Sequence, residues 1–196
     1  MTKTSKKIIE VAEYLFYTHG INNIGVDKIN EIVGCSKTTM YNNFGSKDKL
    51  ILEVLKYRDL NFRASLLEYI GKETKTSEVI RKIFEWHTNW FKEDNFNGCM
   101  FIRTLTDLDV PDEDIKYIIQ AHKDWVWNLL FEKTQDSHYS SLLMLLLEGL
   151  ISMNLVYGDS KDKCDSYLET ALSSIKENRI EWVSYESLKN VGFLDL

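Results

Sequence analysis

Between Lys37 and Lys47 the chain sets out, besides Ser46, seven polar side chains, Lys37, Thr38, Thr39, Tyr41, Asn42, Asn43 and Lys47, with no carboxylate among them. Hydroxyls, a phenol and an ammonium can hold a phosphate backbone without reading sequence, whereas lysine and asparagine can pair with guanine and adenine edges in a major groove. The chemistry is that of gripping a double-stranded polyanion, not of breaking a bond.

Such a surface needs a short helix presented outward on another. Val26, Ile29, Ile32 and Val33 recur at helical spacing. Gly34 can take the left-handed conformation that ends that helix and turns the chain. Ser36 can accept from the free amides of a second helix, in which Met40 and Phe44 point inward toward Ile29 and Val33. A helix of that length, rising about 1.5 Å per residue, fits across a groove roughly 12 Å wide. A hairpin that merely packs would carry ordinary charged residues on its outer face. The joint spacing of Thr39, Tyr41 and Lys47 behind a three-residue turn favours the DNA-facing reading.

From Lys6 to Arg58 the sequence resembles the TetR family of transcriptional regulators, most specifically in Thr39-Met40-Tyr41-Asn42-Asn43-Phe44-Gly45-Ser46-Lys47 followed by Leu50. The resemblance implies an all-α fold in two parts. The first is a three-helix helix-turn-helix DNA-binding domain at 1–47, with a linking helix at about 46–60. The second, at 61–196, is a helical domain for effector binding and dimerisation. It implies that Lys37, Thr38 and Asn42 lie nearest base edges, while Thr39, Tyr41, Asn43 and Lys47 hold phosphates. Three positions depart from the family pattern: Gly25 in place of a capping threonine, Asn30 in place of a small residue, and Cys35 in place of valine. Asn30, between two helices, needs a partner, since an unsatisfied buried amide costs about 1–3 kcal/mol.

Charge agrees with this division. Residues up to Arg58 carry a net charge of +3 and the remainder −9. A basic head on an acidic body suits a molecule that approaches DNA with one end only. Lys3, Lys6 and Lys7 read as a short basic terminus. With one proline, nine glycines and 44% apolar residues in 196, the chain should be almost wholly helical. No targeting segment is visible at the start, and the longest apolar run, Leu142 to Val156, is broken by Glu148 and Asn154 and is too short for a bilayer. A cytoplasmic location and no membrane contact are expected. Three cysteines far apart, Cys35, Cys99 and Cys164, match neither a disulfide framework nor a zinc site, and no metal or cofactor is expected.

Ten of the twenty-four aromatic residues fall between Phe84 and Phe131. They can fill a core or line an apolar ligand pocket. A pocket for an unidentified small-molecule effector is expected around Phe84, His87, Trp90, Phe91, Phe101, His122, Trp125 and Val126. Cys99, with Arg103 one turn on, is either a buried packing residue or a thiol answering to electrophiles or oxidants. Ser140 to Tyr157 is apolar nearly all round, and a second helix from about Cys164 to Asn178 would complete an antiparallel pair. Two such pairs form a homodimer through Ser141, Leu145, Gly149, Ser152, Leu168, Leu172 and Ile175. The expected function is a repressor that binds a near-palindromic double-stranded operator as a dimer and answers to a ligand. The alternatives are a DNA-binding regulator answering to thiol oxidation or a protein partner, and a small helical enzyme. Against the enzyme stands the lack of any nucleophile and base arrangement, His-Glu-x-x-His motif or phosphate loop.

Overall fold

The computed structural model describes residues 1–158 together with Ser166, Tyr167 and Glu169. Their order is α1 (Lys3–His19), α2 (Val26–Val33), α3 (Lys37–Phe44), α4 (Lys47–Ile70), α5 (Thr76–Phe91), α6 (Met100–Asp107), α7 (Glu113–Thr134) and α8 (Ser137–Tyr157). No strand occurs among the described residues, so the fold is all-α. The expected dimerisation positions Leu168, Leu172 and Ile175 lie outside the described residues.

Local signals set most helix starts. The Thr2 side chain accepts from the Ser5 amide while Ser5 caps Thr2 in return, which draws Lys3, Lys6 and Lys7 into the first turns of α1. They form no free arm: Lys6 pairs with Glu10, and Lys7 Nζ donates to the Val33 carbonyl at 2.9 Å, at the end of α2. Gly34, at φ 76°, makes the left-handed turn into α3. Ser36 caps α3 through the Thr39 amide, and Ser46 caps α4 through that of Lys49. Asp112 and Asp136 do the same for α7 and α8. α4 runs to Ile70, well past the end expected near Leu60, because Leu66 and Ile70 are buried in the body.

Two apolar clusters form the interior. The first gathers Ile8, Phe16, Ile29, Met40, Leu50 and Ile51 from α1 to α4, and it continues into Met100, Phe101, Ile115 and Ile119 of α6 and α7. The second joins Leu66, Ile80, Ile83 and Phe84 to Leu130, Leu143 and Leu147. α4 contributes to both. α8 is long and apolar enough by composition to cross a membrane. It packs instead on α7 and α5 through Leu143, Leu147 and Leu150, as a core helix does. Its opposite face is bare: Ser141, Leu145, Gly149, Ser152 and Val156 are exposed, Leu145 at 70%.

Polar groups also enter the interior. Asp59 on α4 accepts from His122 Nδ1 of α7 at 2.8 Å and pairs with Arg63 at 2.7 Å. Burial alone would raise the Asp59 carboxyl, but its bonds from His122 and Arg63 prevail and hold it below the ordinary carboxylate value. Asn30 meets Cys35 Sγ through its oxygen at 3.3 Å, yet its Nδ2 is enclosed without a partner. His87 of α5, 2% exposed, has its pKa pushed by burial from 6.5 down to about 4. Between those values the unfolded chain takes up a proton that the folded chain refuses, so stability is complete above about pH 6.5 and falls as the pH drops toward 4. The slope from this group is at most about 1.4 kcal/mol per pH unit. Thermal unfolding midpoints measured from pH 7 to pH 4.5 should therefore decline, and the decline should be shallower in His87→Asn.

Candidate functional site

α3 stands on α1, α2 and α4 with Met40 as its buried anchor. Thr38, Tyr41 and Asn42 project to solvent, and no side-chain hydrogen bond ties them to the rest of the described chain. Two other members of the expected contact set are engaged within the helix. The Thr39 hydroxyl lies 2.9 Å from Ser36 Oγ, and Asn43 Nδ2 donates to the Thr39 carbonyl at 2.6 Å. Lys37 Nζ sits 2.8 Å from Asp27 Oδ1 of α2, and this hydrogen bond, with the charge of Asp27, raises its pKa. Lys47, at the start of α4, donates to the Ile21 carbonyl at 2.7 Å. Burial lowers its pKa. An ammonium has three donors, so Lys47 keeps two beyond this bond.

A cavity of about 340 Å³ opens among α4 to α8, within the range of small-ligand sites. Its apolar walls are Phe62 of α4, Trp86 and Trp90 of α5, Phe101 of α6, and Val126, Leu147 and Ile151. The Phe101 ring stacks on His122 with centroids 3.7 Å apart, and Phe62 stands edge-on to Trp86 at 4.9 Å. Two ion pairs reach the same space. Arg58 bonds Glu13, with its guanidinium 4.0 Å over the Tyr17 ring. Lys123 Nζ bonds Glu148 at 2.6 Å and meets Cys99 Sγ at 3.4 Å. Burial works against the Lys123 ammonium, but Cys99 and Glu148 together outweigh it and keep its pKa above the usual lysine value.

Of the residues expected around a pocket, His87, Trp90, Phe101, His122 and Val126 line this cavity. Phe84, Phe91 and Trp125 do not, and each has a physical reason. Phe84 is fully enclosed in the second apolar cluster. Phe91 packs on Phe96, centroids 5.1 Å apart, at the end of α5. Trp125 turns to the outer face of α7, under the Arg63 guanidinium at 5.0 Å. The charged members Arg58, Glu13, Lys123 and Glu148 went unrecognised because their partners are far apart in sequence. One trace was visible: Glu148 interrupts an otherwise apolar helix, and a carboxylate there requires a cation opposite.

α6 spans the distance between cavity and head. Its first residues, with Cys99 before them, line the cavity. At its other end Asp107 Oδ2 accepts from the Ile21 amide at 3.0 Å, and the Asp107 carbonyl accepts from Asn22. Arg103, between them, donates to the Tyr17 carbonyl at 2.7 Å. Ile21 thus bonds α6 through its N–H and Lys47 through its carbonyl.

Comparison with known proteins agrees with this geometry. Residues 8–54 match the family model for bacterial regulatory proteins, tetR family. No curated protein sequence matches the chain. Among solved structures, a TetR-family transcriptional regulator from Streptomyces coelicolor is similar at a TM-score of 0.80 and 21% identity, over 90% of this chain and 91% of that one. A regulator from Saccharomonospora viridis in complex with choline is similar at 0.73 and 15% identity, over 91% and 98%. A cysteine mutant of the TetR-family regulator CifR, complexed with 26-bp double-strand operator DNA, is similar at 0.71 and 14% identity, over 89% and 97%. At these identities the structures speak for the architecture, and the motif match over α1 to α4 speaks for the head. Residues 8–54 are thus a TetR-family head, and the chain as a whole has the TetR-type fold.

Proposed function

We propose that the protein is a ligand-responsive repressor whose homodimer holds a near-palindromic operator and releases it when a small molecule fills the cavity. Binding rather than catalysis is the proposed activity. The observation that carries this reading is α6, which lines the cavity at one end and bonds the head at Ile21 and Asn22 at the other. A molecule that displaces Phe101 or Met100 acts directly on a helix tied to the backbone that Lys47 also grips. Choline in the S. viridis protein and operator DNA with CifR support a cavity and a head of this architecture taking those two classes of partner.

In the head, Lys37, Thr38 and Asn42 face base edges, and Thr39, Tyr41, Asn43 and Lys47 face phosphates. Lys37 exchanges Asp27 for DNA on binding. Residues 1–47 act as the reading head, α4 as the link, and the chain from 61 onward as the effector and dimer part. The bare stripe Ser141, Leu145, Gly149 and Ser152 on α8 supports dimerisation, since small residues allow close helix approach and an exposed leucine gains by being covered. Two heads about a two-fold axis then meet half-sites roughly 34–36 Å apart or at a similar fixed span.

One observation favours a second reading of the same cavity. Cys99 Sγ lies at its wall with the Lys123 ammonium 3.4 Å away, an arrangement that fits a thiol answering to electrophiles or oxidants.

Operator selection from random duplexes, followed by binding titrations, tests the head. Lys47→Ala and Tyr41→Phe should weaken binding to every sequence and flatten its salt dependence, by roughly one unit of slope for the lysine. Lys37→Ala and Asn42→Ala should instead alter sequence preference, each costing about 1–3 kcal/mol at its base pair. Equal effects of all four on all sequences would refute the division. For the dimer, Leu145→Glu should shift the sedimentation coefficient to that of a monomer and lower operator affinity at least tenfold. For the thiol reading, alkylating or oxidising agents should release the operator from the native protein and leave Cys99→Ser bound. Release of both alike would dismiss Cys99 as the sensor.

A further inference from the structure

Resting on the cavity as the effector site, we infer that its ligand is a flat aromatic molecule without negative charge that donates hydrogen bonds through N–H or O–H groups to Nε2 of His87 and Nε2 of His122.

Both imidazoles are fixed in one tautomer. His87 Nδ1 lies 2.7 Å from the Ile83 carbonyl. A carbonyl only accepts, so Nδ1 carries the hydrogen and Nε2 is a bare lone pair. His122 Nδ1 lies 2.8 Å from Asp59 Oδ1, a carboxylate held ionised by its bonds from His122 and Arg63, with the same consequence. The rings are 2% and 3% exposed, both line the cavity, and no donor among the described residues meets either Nε2. Neither nitrogen is among the fully enclosed, unpartnered polar side-chain atoms of the described residues, which fits lone pairs that reach the cavity. Two anchored acceptors therefore wait there for donors.

Anionic ligands fit poorly. Lys123 is already matched by Glu148 at 2.6 Å and Arg58 by Glu13, so an anion must break a half-buried pair to find its counter-charge, which leaves a carboxylate uncompensated. The one further charged group of the lining, Glu93 at its exposed edge, is itself negative. A carboxylate would also set its oxygens against two imidazole lone pairs. The rings do not readily become donors, because burial pushes the pKa of His87 down to about 4 and lowers that of His122. A quaternary ammonium group itself has no N–H to offer, so such a ligand satisfies the two nitrogens only if it carries an O–H or N–H elsewhere. An aromatic body is favoured by the walls: Phe62 stands within 4.8 Å of His122 and 5.9 Å of His87, and Trp86 and Trp90 complete the same side. A ligand without donors would strip both nitrogens of any hydrogen-bonded water and return nothing.

Four probes with one aromatic body test this by calorimetric titration of the intact protein: a naphthalenediol, its dimethyl ether, naphthoate, and naphthyltrimethylammonium. The diol should bind at least about tenfold more tightly than each of the others. His87→Asn and His122→Asn keep an N–H for Ile83 and Asp59 but lose Nε2, and each should weaken the diol about 2–10-fold while leaving the ether unchanged. The comparison among probes on the native protein needs no variant to fold. If the ether, the naphthoate or the cation binds as well as the diol, or if both variants hold the diol undiminished, the donor rule is overturned and the cavity stands as a ligand site. If none of the four binds at millimolar concentration, the effector cavity itself is overturned.

Discussion

The corner between α1 and α2 is anchored at Ile21. Ile21 gives its amide hydrogen to Asp107 and receives Lys47 on its carbonyl, and its own side chain is buried in the first cluster. Gly20 before it, at φ 84°, lets the chain leave α1 so closely against α6 that a Cβ there would come within 3.3 Å of Asp107 Oδ2. The corner between α1 and α2 is therefore clamped from the body side by α6 and from the DNA side by α4. The orientation of α3 follows from that corner, because α2 leaves it directly and Gly34 fixes the turn that comes next. A different position of α6 would be a different position of the reading helix.

Electrostatics arranges the two ends for opposite tasks. In the head, cations are lightly committed. Lys37 rests on an exposed carboxylate, which water and phosphate can replace at little cost because exposed pairs are weak. In the body, cations are committed deeply. Lys123 and Arg58 lie in a cavity of low polarity, where a lone charge is costly, and each has its carboxylate. The net charge of −9 beyond Arg58 turns the body away from DNA, so the +3 head arrives first.

The helical head was legible in the sequence because its signals are local. Gly34, Ser36, Met40 and Phe44 each act within one turn of helix, and local rules suffice to read them. α4 was read too short, since its last turns are held by the contacts of Leu66 and Ile70 with distant helices and by no local mark. The cavity was half legible for the same reason. His87, Trp90, Phe101, His122 and Val126 sit on helical stripes and face inward as their spacing demands. Stripe membership does not say whether an inward side chain meets packing or empty space, which is why Phe84 is core while His87, three positions on, is wall. Nor does spacing reveal that Glu13 of α1 answers Arg58 of α4, or Glu148 of α8 answers Lys123 of α7. Those pairings exist only once the helices are assembled.

The energetic scale of the clamp suits the proposed switch. A hydrogen bond to a charged group contributes about 1.5–3 kcal/mol, and the corner is held to α6 and α4 by Asp107 and Lys47, with Asn22 adding a bond to the Asp107 carbonyl. A coupling of about 1–3 kcal/mol between two sites changes affinity 5–150-fold. The gain or loss of one of these bonds is thus already the size of a regulatory response, whereas the apolar contacts of the first cluster are too many to be given up together. In the proposed response, displacing α6 at Phe101 would loosen the corner while the buried core of the head stays intact, and the angle at which α3 is offered would change.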